Sequence, residues 1–293
     1  MSEEVLNFYR QYSMFTYPGL YESYLKSLPD DIRELGFLVR KQLIHRTTLD
    51  AGNVGSNADM KYGDMTKVPW YRQAEDDYLV TASAIIAELF RRDQKGFYLE
   101  RSAENKVVLT CRHTAILIVA ILKAKGIPAR VRAGFAPYWP GSKVSSDHWV
   151  NQCWNEKENR WITIDVDGSL HETGFDMYDL PDGKFDFPAT AWLGVRQGKI
   201  DGEHFHNAGG FSGLITIAWQ LFYDYHCLMN NEIIYLHHPR FAMLDTFPKL
   251  SEARLQEIDK LATLMQEPDD NFNELQKIWE TNKEFRLMAG ALL

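Results

Sequence analysis

The chain has 293 residues, enough for a full hydrophobic core in one domain or about two. Its 32 Lys and Arg against 40 Asp and Glu give a formal charge of −8 with no basic stripe, which argues against a nucleic-acid partner. The N-terminus lacks the basic and apolar blocks of a signal peptide, and the longest apolar run, residues 115–122, has eight residues against the roughly 20 that span a bilayer. A soluble, cytoplasmic protein without membrane attachment is expected, with Cys111, Cys153 and Cys227 as thiols.

Residues 1–105 read as mainly helical. Segments 30–44 and 74–92 carry apolar residues at helical spacing, among them Leu79, Ala82, Ile85, Ile86 and Leu89. Between them, residues 47–69 are polar and hold Gly52, Gly55 and Gly63, which predicts a long surface loop and a candidate for shaping a cleft. Residues 111–125 are apolar nearly all round and stop at Gly126-Ile127-Pro128, so a helix is expected there, buried mid-core with sheet against it. Segments 129–136, 149–154 and 160–166 are rich in Val, Ile and aromatics between turn-like residues and read as neighbouring antiparallel strands.

Residues 194–213 hold six glycines with His204 and His206 among them, and read as an irregular surface segment, with a lid as the alternative. Helical patterning resumes at 214–230, 251–266 and 271–288, with Ser251 and Asp270 as N-caps. No internal repeat is visible. One α+β domain over 1–293 follows, with a helical part at 1–105, a central part at 106–170, and a loop-rich then helical part at 171–293.

Three central residues carry chemistry. At the start of a helix, Cys111 meets unpaired N–H groups and the positive end of the helix dipole, both of which favour thiolate over thiol. By itself a Cys before an apolar run is more often a buried structural residue, so its partners matter. His148 and Asp165 fall on consecutive predicted strands joined by the polar residues 155–159. If they oppose each other directly, the hairpin centre lies between Glu156 and Lys157, and both side chains share a face. A carboxylate could then hold one imidazole nitrogen and leave the other for sulfur. Asp167 has the same parity and is a second candidate for that carboxylate, whereas Asp147 should point to the opposite face. Nucleophile, base and orienting acid in this relation form a Cys-His-Asp triad.

The combination of Cys111-Arg112-His113 opening an apolar helix, Lys125-Gly126-Ile127-Pro128-Ala129-Arg130-Val131, His148-Trp149-Val150 and Trp161-Ile162-Thr163-Ile164-Asp165 resembles the transglutaminase-like superfamily. The resemblance implies a papain-like α+β core with helical additions at both ends. It also implies Cys111 as nucleophile, His148 as base and then acid, and Asp165 as the group orienting His148. Superfamily members include protein cross-linkers, deamidases, proteases, peptide-bond-forming enzymes and non-catalytic proteins, so the reaction stays open between acyl transfer and hydrolysis. Arylamine N-acetyltransferases also combine such a triad with a chain of this size, but their Arg-Gly-Gly-x-Cys signature is absent before Cys111.

Weaker signals read blandly. His204-Phe205-His206 and His237-His238 lack a Cys or carboxylate at ligand spacing and are expected as exposed polar histidines. Cys153 reads as core, and Tyr138 and Trp139 either line a cleft rim or anchor an ordinary loop. The expectation is a cysteine enzyme acting on an amide bond of a peptide, protein or small molecule through a thioester, with no cofactor or metal. The competing expectation is a binding or scaffold module that keeps the fold without turnover.

Overall fold

The computed structural model describes residues 1–46, 68–139, 141–235 and 237–286. Helices α1 (Glu3–Arg10), α2 (Glu22–Lys26) and α3 (Ile32–Arg40) are followed by strand β1 (Leu43–His45), helix α4 (Ala82–Arg92) and strand β2 (Val107–Leu109). Ser2, Asp31 and Thr81 cap α1, α3 and α4 by accepting backbone N–H groups of the first turn.

Two expectations change here. The helix expected over 30–44 ends at Arg40, and residues 43–45 pair in parallel with 107–109. Leu43 and Ile44 are both buried, and a strand buried on both faces has the same continuous apolar texture as a helix segment. The helix expected over 74–92 begins at Ala82, because residues 75–77 form a 3₁₀ turn. That turn places Glu75 fully inside, where its carboxylate accepts the Val108 N–H at 2.8 Å. Of the expected loop at 47–69, residues 47–67 lie outside the described residues.

Helix α5 (Cys111–Ala124) is buried along its whole length and packs against strands β3 (Ala129–Ala136) and β4 (Ser145–Asn155) as well as α2, α3 and α4. Gly126 ends it at φ 80°, a left-handed conformation that costs glycine little; its N–H donates to the Lys123 carbonyl and that of Ile127 to Leu122. Strand β5 (Arg160–Ile164) completes an antiparallel order β3-β4-β5. After helix α6 (Pro188–Arg196), strand β6 (Phe205–His206) adds to the β4 edge in parallel.

Helix α7 (Leu214–Leu228) lies on β3 and is tied to it by a buried ion pair, Arg132 Nε to Asp224 Oδ1 at 2.7 Å and Nη2 to Oδ2 at 2.8 Å. Helices α8 (Glu252–Gln266), α9 (Phe272–Thr281) and α10 (Lys283–Arg286) follow. Ser251 caps α8 as expected, but the N-cap position of α9 is Asn271 rather than Asp270. The helix expected over 271–288 breaks at Asn282 (φ −97°, ψ 84°), and residues 287–288 lie outside the described residues. The architecture is α+β, with a central helix against an antiparallel sheet. Among the described residues, no helix is long and apolar enough to cross a membrane.

Candidate active site

Parallel pairing of β1 with β2 sets His45 opposite Leu109, two residues before Cys111. The Cys111 N–H, the first of α5, donates to His45 Nε2 at 3.1 Å, and Cys111 Sγ lies 3.4 Å from the Tyr235 hydroxyl. Arg112, fully buried, donates to the Ile233 carbonyl at 2.8 Å and to the Glu232 carbonyl. This holds the segment carrying Tyr235 against the start of α5. Burial alone would push the Cys111 thiol up, but hydrogen bonds with His148 and His45 and the charge of both rings bring it from 9.0 down to about 7.

His148 sits within β4, which begins at Ser145, four residues earlier than expected. The observed pairing sets Asn151 opposite Ile164 and Asn155 opposite Arg160, so the hairpin centre falls between Lys157 and Glu158 rather than between Glu156 and Lys157. Direct opposition of His148 and Asp165 is therefore not what forms. The cause is local: Asn155 Oδ1 accepts the Lys157 and Glu158 N–H groups, and Asn159 takes φ 52° to close a four-residue turn. The slip of two residues preserves parity and hence the face. Asp165 follows the end of β5, and its N–H donates to the Met177 carbonyl at 2.7 Å.

From there the Asp165 side chain reaches back to His148. Its Oδ2 accepts from His148 Nε2 at 2.9 Å and from the Tyr138 hydroxyl at 2.7 Å, and its Oδ1 accepts from the Gly168 N–H at 2.8 Å. Position 168 must lack a side chain, because a Cβ there would collide with the Asp165 carboxylate and approach Met177 Cε to 2.6 Å. Burial disfavours a charged His148, yet the Asp165 carboxylate, its hydrogen bond and Cys111 carry the ring well above 6.5. With Nε2 committed to Asp165, Nδ1 is left for the thiol. Trp139 stands edge-on to the His148 ring, centroids 4.8 Å apart.

The second candidate carboxylate has other partners. Asp167 Oδ1 lies 2.5 Å from Arg40 Nη1 and Oδ2 3.4 Å from His45 Nε2. Burial would raise Asp167, but His45 and Arg40 outweigh it and hold it below the usual carboxylate range. Asp147 accepts the Ala208 N–H at 2.9 Å, and burial raises it to about 6. Cys111, His148 and His45 open onto a cavity of about 740 Å³, walled largely by Trp139, Phe211, Trp219, Tyr223 and Tyr235.

The glycine-rich segment is neither wholly irregular nor remote: β6 belongs to the sheet, and Asn207, Ala208 and Gly209 line the cavity. His204 is exposed, as expected, and His206 Nε2 donates to the Glu203 carbonyl at 2.9 Å. His238 corrects the expectation of exposed histidines; it is buried with its ring stacked on Trp219 at 4.8 Å. Cys153 is half-buried against the core.

Sequence reasoning missed His45, Tyr235 and the Arg40–Asp167 pair. No spacing links positions 45, 111 and 235, since only strand pairing and a loop anchored by Arg112 join them. Tyr138, read as lining a rim or anchoring a loop, donates to Asp165.

No curated protein sequence matches the chain. Among solved structures it is similar to that of a candidate cysteine protease from Cytophaga hutchinsonii, at 10% identity and a TM-score of 0.32, over 64% of this chain and 46% of that one. Residues 77–166 match the family model of the transglutaminase-like superfamily. That segment, similar to the transglutaminase-like superfamily, contains Cys111, His148 and Asp165.

Proposed function

We propose that the chain is a cysteine enzyme that opens an amide bond through Cys111, His148 and Asp165. The observation that carries this reading is the bond from His148 Nε2 to the buried Asp165 carboxylate, in a ring that also bonds the thiol at the head of α5. The Cys111 thiolate attacks the amide carbonyl carbon, and the carbonyl electron pair moves to oxygen. As the C–N bond breaks, His148 gives its proton to the departing amine and a thioester remains. Water or a second amine then attacks the thioester, His148 takes the incoming proton, and the C–S bond breaks to return the thiolate.

The developing oxyanion is held by the Cys111 N–H, with His45 as the second donor. A neutral His45 accepts the Cys111 N–H through Nε2; once protonated, that nitrogen becomes a donor and the amide is released toward substrate. Burial lowers His45, while Asp167 and Cys111 overcome this and raise it above its ordinary value.

The test is iodoacetamide labelling mapped to Cys111 between pH 5 and 9. The labelling rate should rise with a midpoint near the Cys111 value of about 7, and His148→Ala should move that midpoint upward by removing the cation that favours thiolate. An ordinary thiol profile that the substitution leaves unchanged would refute the mechanism and favour a non-catalytic module.

A further inference from the structure

In the mechanism proposed above, the attacked carbon carries an oxygen, a nitrogen and an acyl substituent besides the sulfur, and the site gives each a direction. The oxygen faces the Cys111 N–H and His45, and the departing nitrogen faces His148, which supplies its proton. The substituent is left with the remaining neighbour of the thiol, Tyr235, whose hydroxyl lies 3.4 Å from Sγ. From Tyr235 a run of rings leads outward: Tyr223 at 6.1 Å between centroids, His238 at 5.1 Å from Tyr223, Trp219 stacked on His238 at 4.8 Å, and Phe211 edge-on to Trp219 at 5.4 Å. The Trp219 indole N–H donates to the Ala242 carbonyl at 2.6 Å and so brings Met243 and Leu244 alongside. Tyr223, Trp219 and His238 back this wall and are almost covered. The surface that a ligand meets is that of Tyr235 and Met243, both half-buried, and of Phe211 and Leu244, 40% and 52% exposed, all four on the cavity that holds Cys111. Phe211 is fixed there, because its N–H donates to Asn207 Oδ1 and its carbonyl accepts the Asn207 N–H, both at 2.9 Å. Apolar surface held open to water in this way is stabilised by whatever covers it.

From this geometry we infer the substrate class of the site: the acyl substituent is a bulky, uncharged apolar group of aryl size that lies along Tyr235 toward Phe211 and Leu244. The cavity, about 740 Å³, falls within the range that encloses a drug-sized ligand. Among the described residues no Lys or Arg lines it, and its imidazoles His45 and His148 already face Asp167 and Asp165, so an anionic substituent would lose its water for no fresh counter-charge. Asp147, the carboxylate nearest the loop of Phe211, is committed to the Ala208 N–H at 2.9 Å. That the apolar group belongs to the acyl side rests on the reading of Cys111 as nucleophile; that the cavity takes an apolar group does not.

The test of the pocket uses full-length Cys111→Ala, in which no thioester can form, and four amides that differ only beyond the second methylene: 3-phenylpropanamide, propanamide, succinamate and β-alaninamide. In an NMR titration, 3-phenylpropanamide should shift the backbone amides of residues 207–211 and 243–247 and bind at least about tenfold tighter than the other three. Phe211→Ala combined with Leu244→Ala, at two positions that already face water, should cut that advantage to under about threefold; Leu244→Ala alone carries the same comparison if the pair does not fold. No preference for the phenyl compound, a preference that survives the substitutions, or equal binding of either ion would overturn the pocket, and tight binding of β-alaninamide would make Asp147 the recognising group. In the wild-type chain, p-nitrophenyl 3-phenylpropanoate should acylate Cys111 at least about tenfold faster than p-nitrophenyl acetate, each rate divided by that of glutathione with the same ester. Equal corrected rates beside selective amide binding would overturn the assignment to the acyl side. Iodoacetamide labelling of the wild-type chain reports on the nucleophile separately, so the mechanism can fail there while the titration still decides the pocket.

Discussion

Replacing Asp165 by Asn tests how much of the reactivity of Cys111 is organised through His148. The carboxylate receives three donors, from His148 and Tyr138 on Oδ2 and from Gly168 on Oδ1. Asparagine offers one acceptor oxygen and one NH₂ group, so either the Gly168 N–H or the His148–Tyr138 pair must face a donor. If the oxygen stays with His148, the imidazolium loses a charged acceptor, and a hydrogen bond to a charged group contributes about 1.5–3 kcal/mol. At about 1.4 kcal/mol per decade, the thiolate–imidazolium pair should become about 10- to 150-fold less populated.

The assay is the second-order rate of iodoacetamide alkylation of Cys111 at pH 6, below the thiol midpoint of about 7, where the rate follows the ion-pair population. The orphaned Gly168 N–H should lower stability by about 1–3 kcal/mol in urea unfolding. The sign with pH follows from His148, whose folded pKa lies above its unfolded value. The stability contributed by the His148–Asp165 pair is fully present below the unfolded value of about 6.5 and is lost as pH rises through the folded value. The deficit of Asp165→Asn should thus be largest in acid and shrink in alkali. Wild-type alkylation at pH 6 in a folded Asp165→Asn variant would refute the reasoning and remove Asp165 from the site.

Other perturbations probe the supports. Gly168→Ala drives a methyl into the Asp165 carboxylate and Met177, so it should cost about 1–3 kcal/mol in urea unfolding and slow Cys111 alkylation at pH 6; an unchanged alkylation rate would mean that the carboxylate is not held by this turn. His45→Ala removes the proposed second oxyanion donor. Acylation by p-nitrophenyl acetate should fall about 10²–10³-fold, while alkylation at pH 8.5, which forms no oxyanion, should change less than about tenfold; equal losses would place His45 in thiol activation alone. Asp224→Ala strands Arg132 in the core between α7 and β3 and should cost about 3–5 kcal/mol in urea unfolding, and a loss under about 1 kcal/mol would show that the pair is not structural.

Much of the central core was legible because its signals are local. An apolar run of helical length closed by Gly126 can only be a buried helix, and α5 has both the start and the burial expected of it. The two strands flanking residues 155–159 follow from alternation and a polar turn. Sharing of a face by His148 and Asp165 needed only parity, which survived a register slip of two. The register itself depended on Asn155 side-chain bonds and on Asn159 entering the left-handed region, choices that propensity does not rank. The 43–45 strand was misread because its apolar pair lacks a period of its own.

Length, charge and motif order thus determined, from the residues alone, the α+β core, a cysteine at a helix start and a histidine and aspartate on one hairpin. Which carboxylate meets His148 was decided by tertiary structure: Asp165 turns inward onto Tyr138 and Gly168, while Asp167 is claimed by Arg40, 127 residues away. The same holds for His45 beside the Cys111 amide and Tyr235 beside its sulfur. The physical reason is range. Periodicity and turn chemistry act over a few residues and leave a pattern, whereas a site gathers side chains whose separation in sequence carries no energy until the chain has folded.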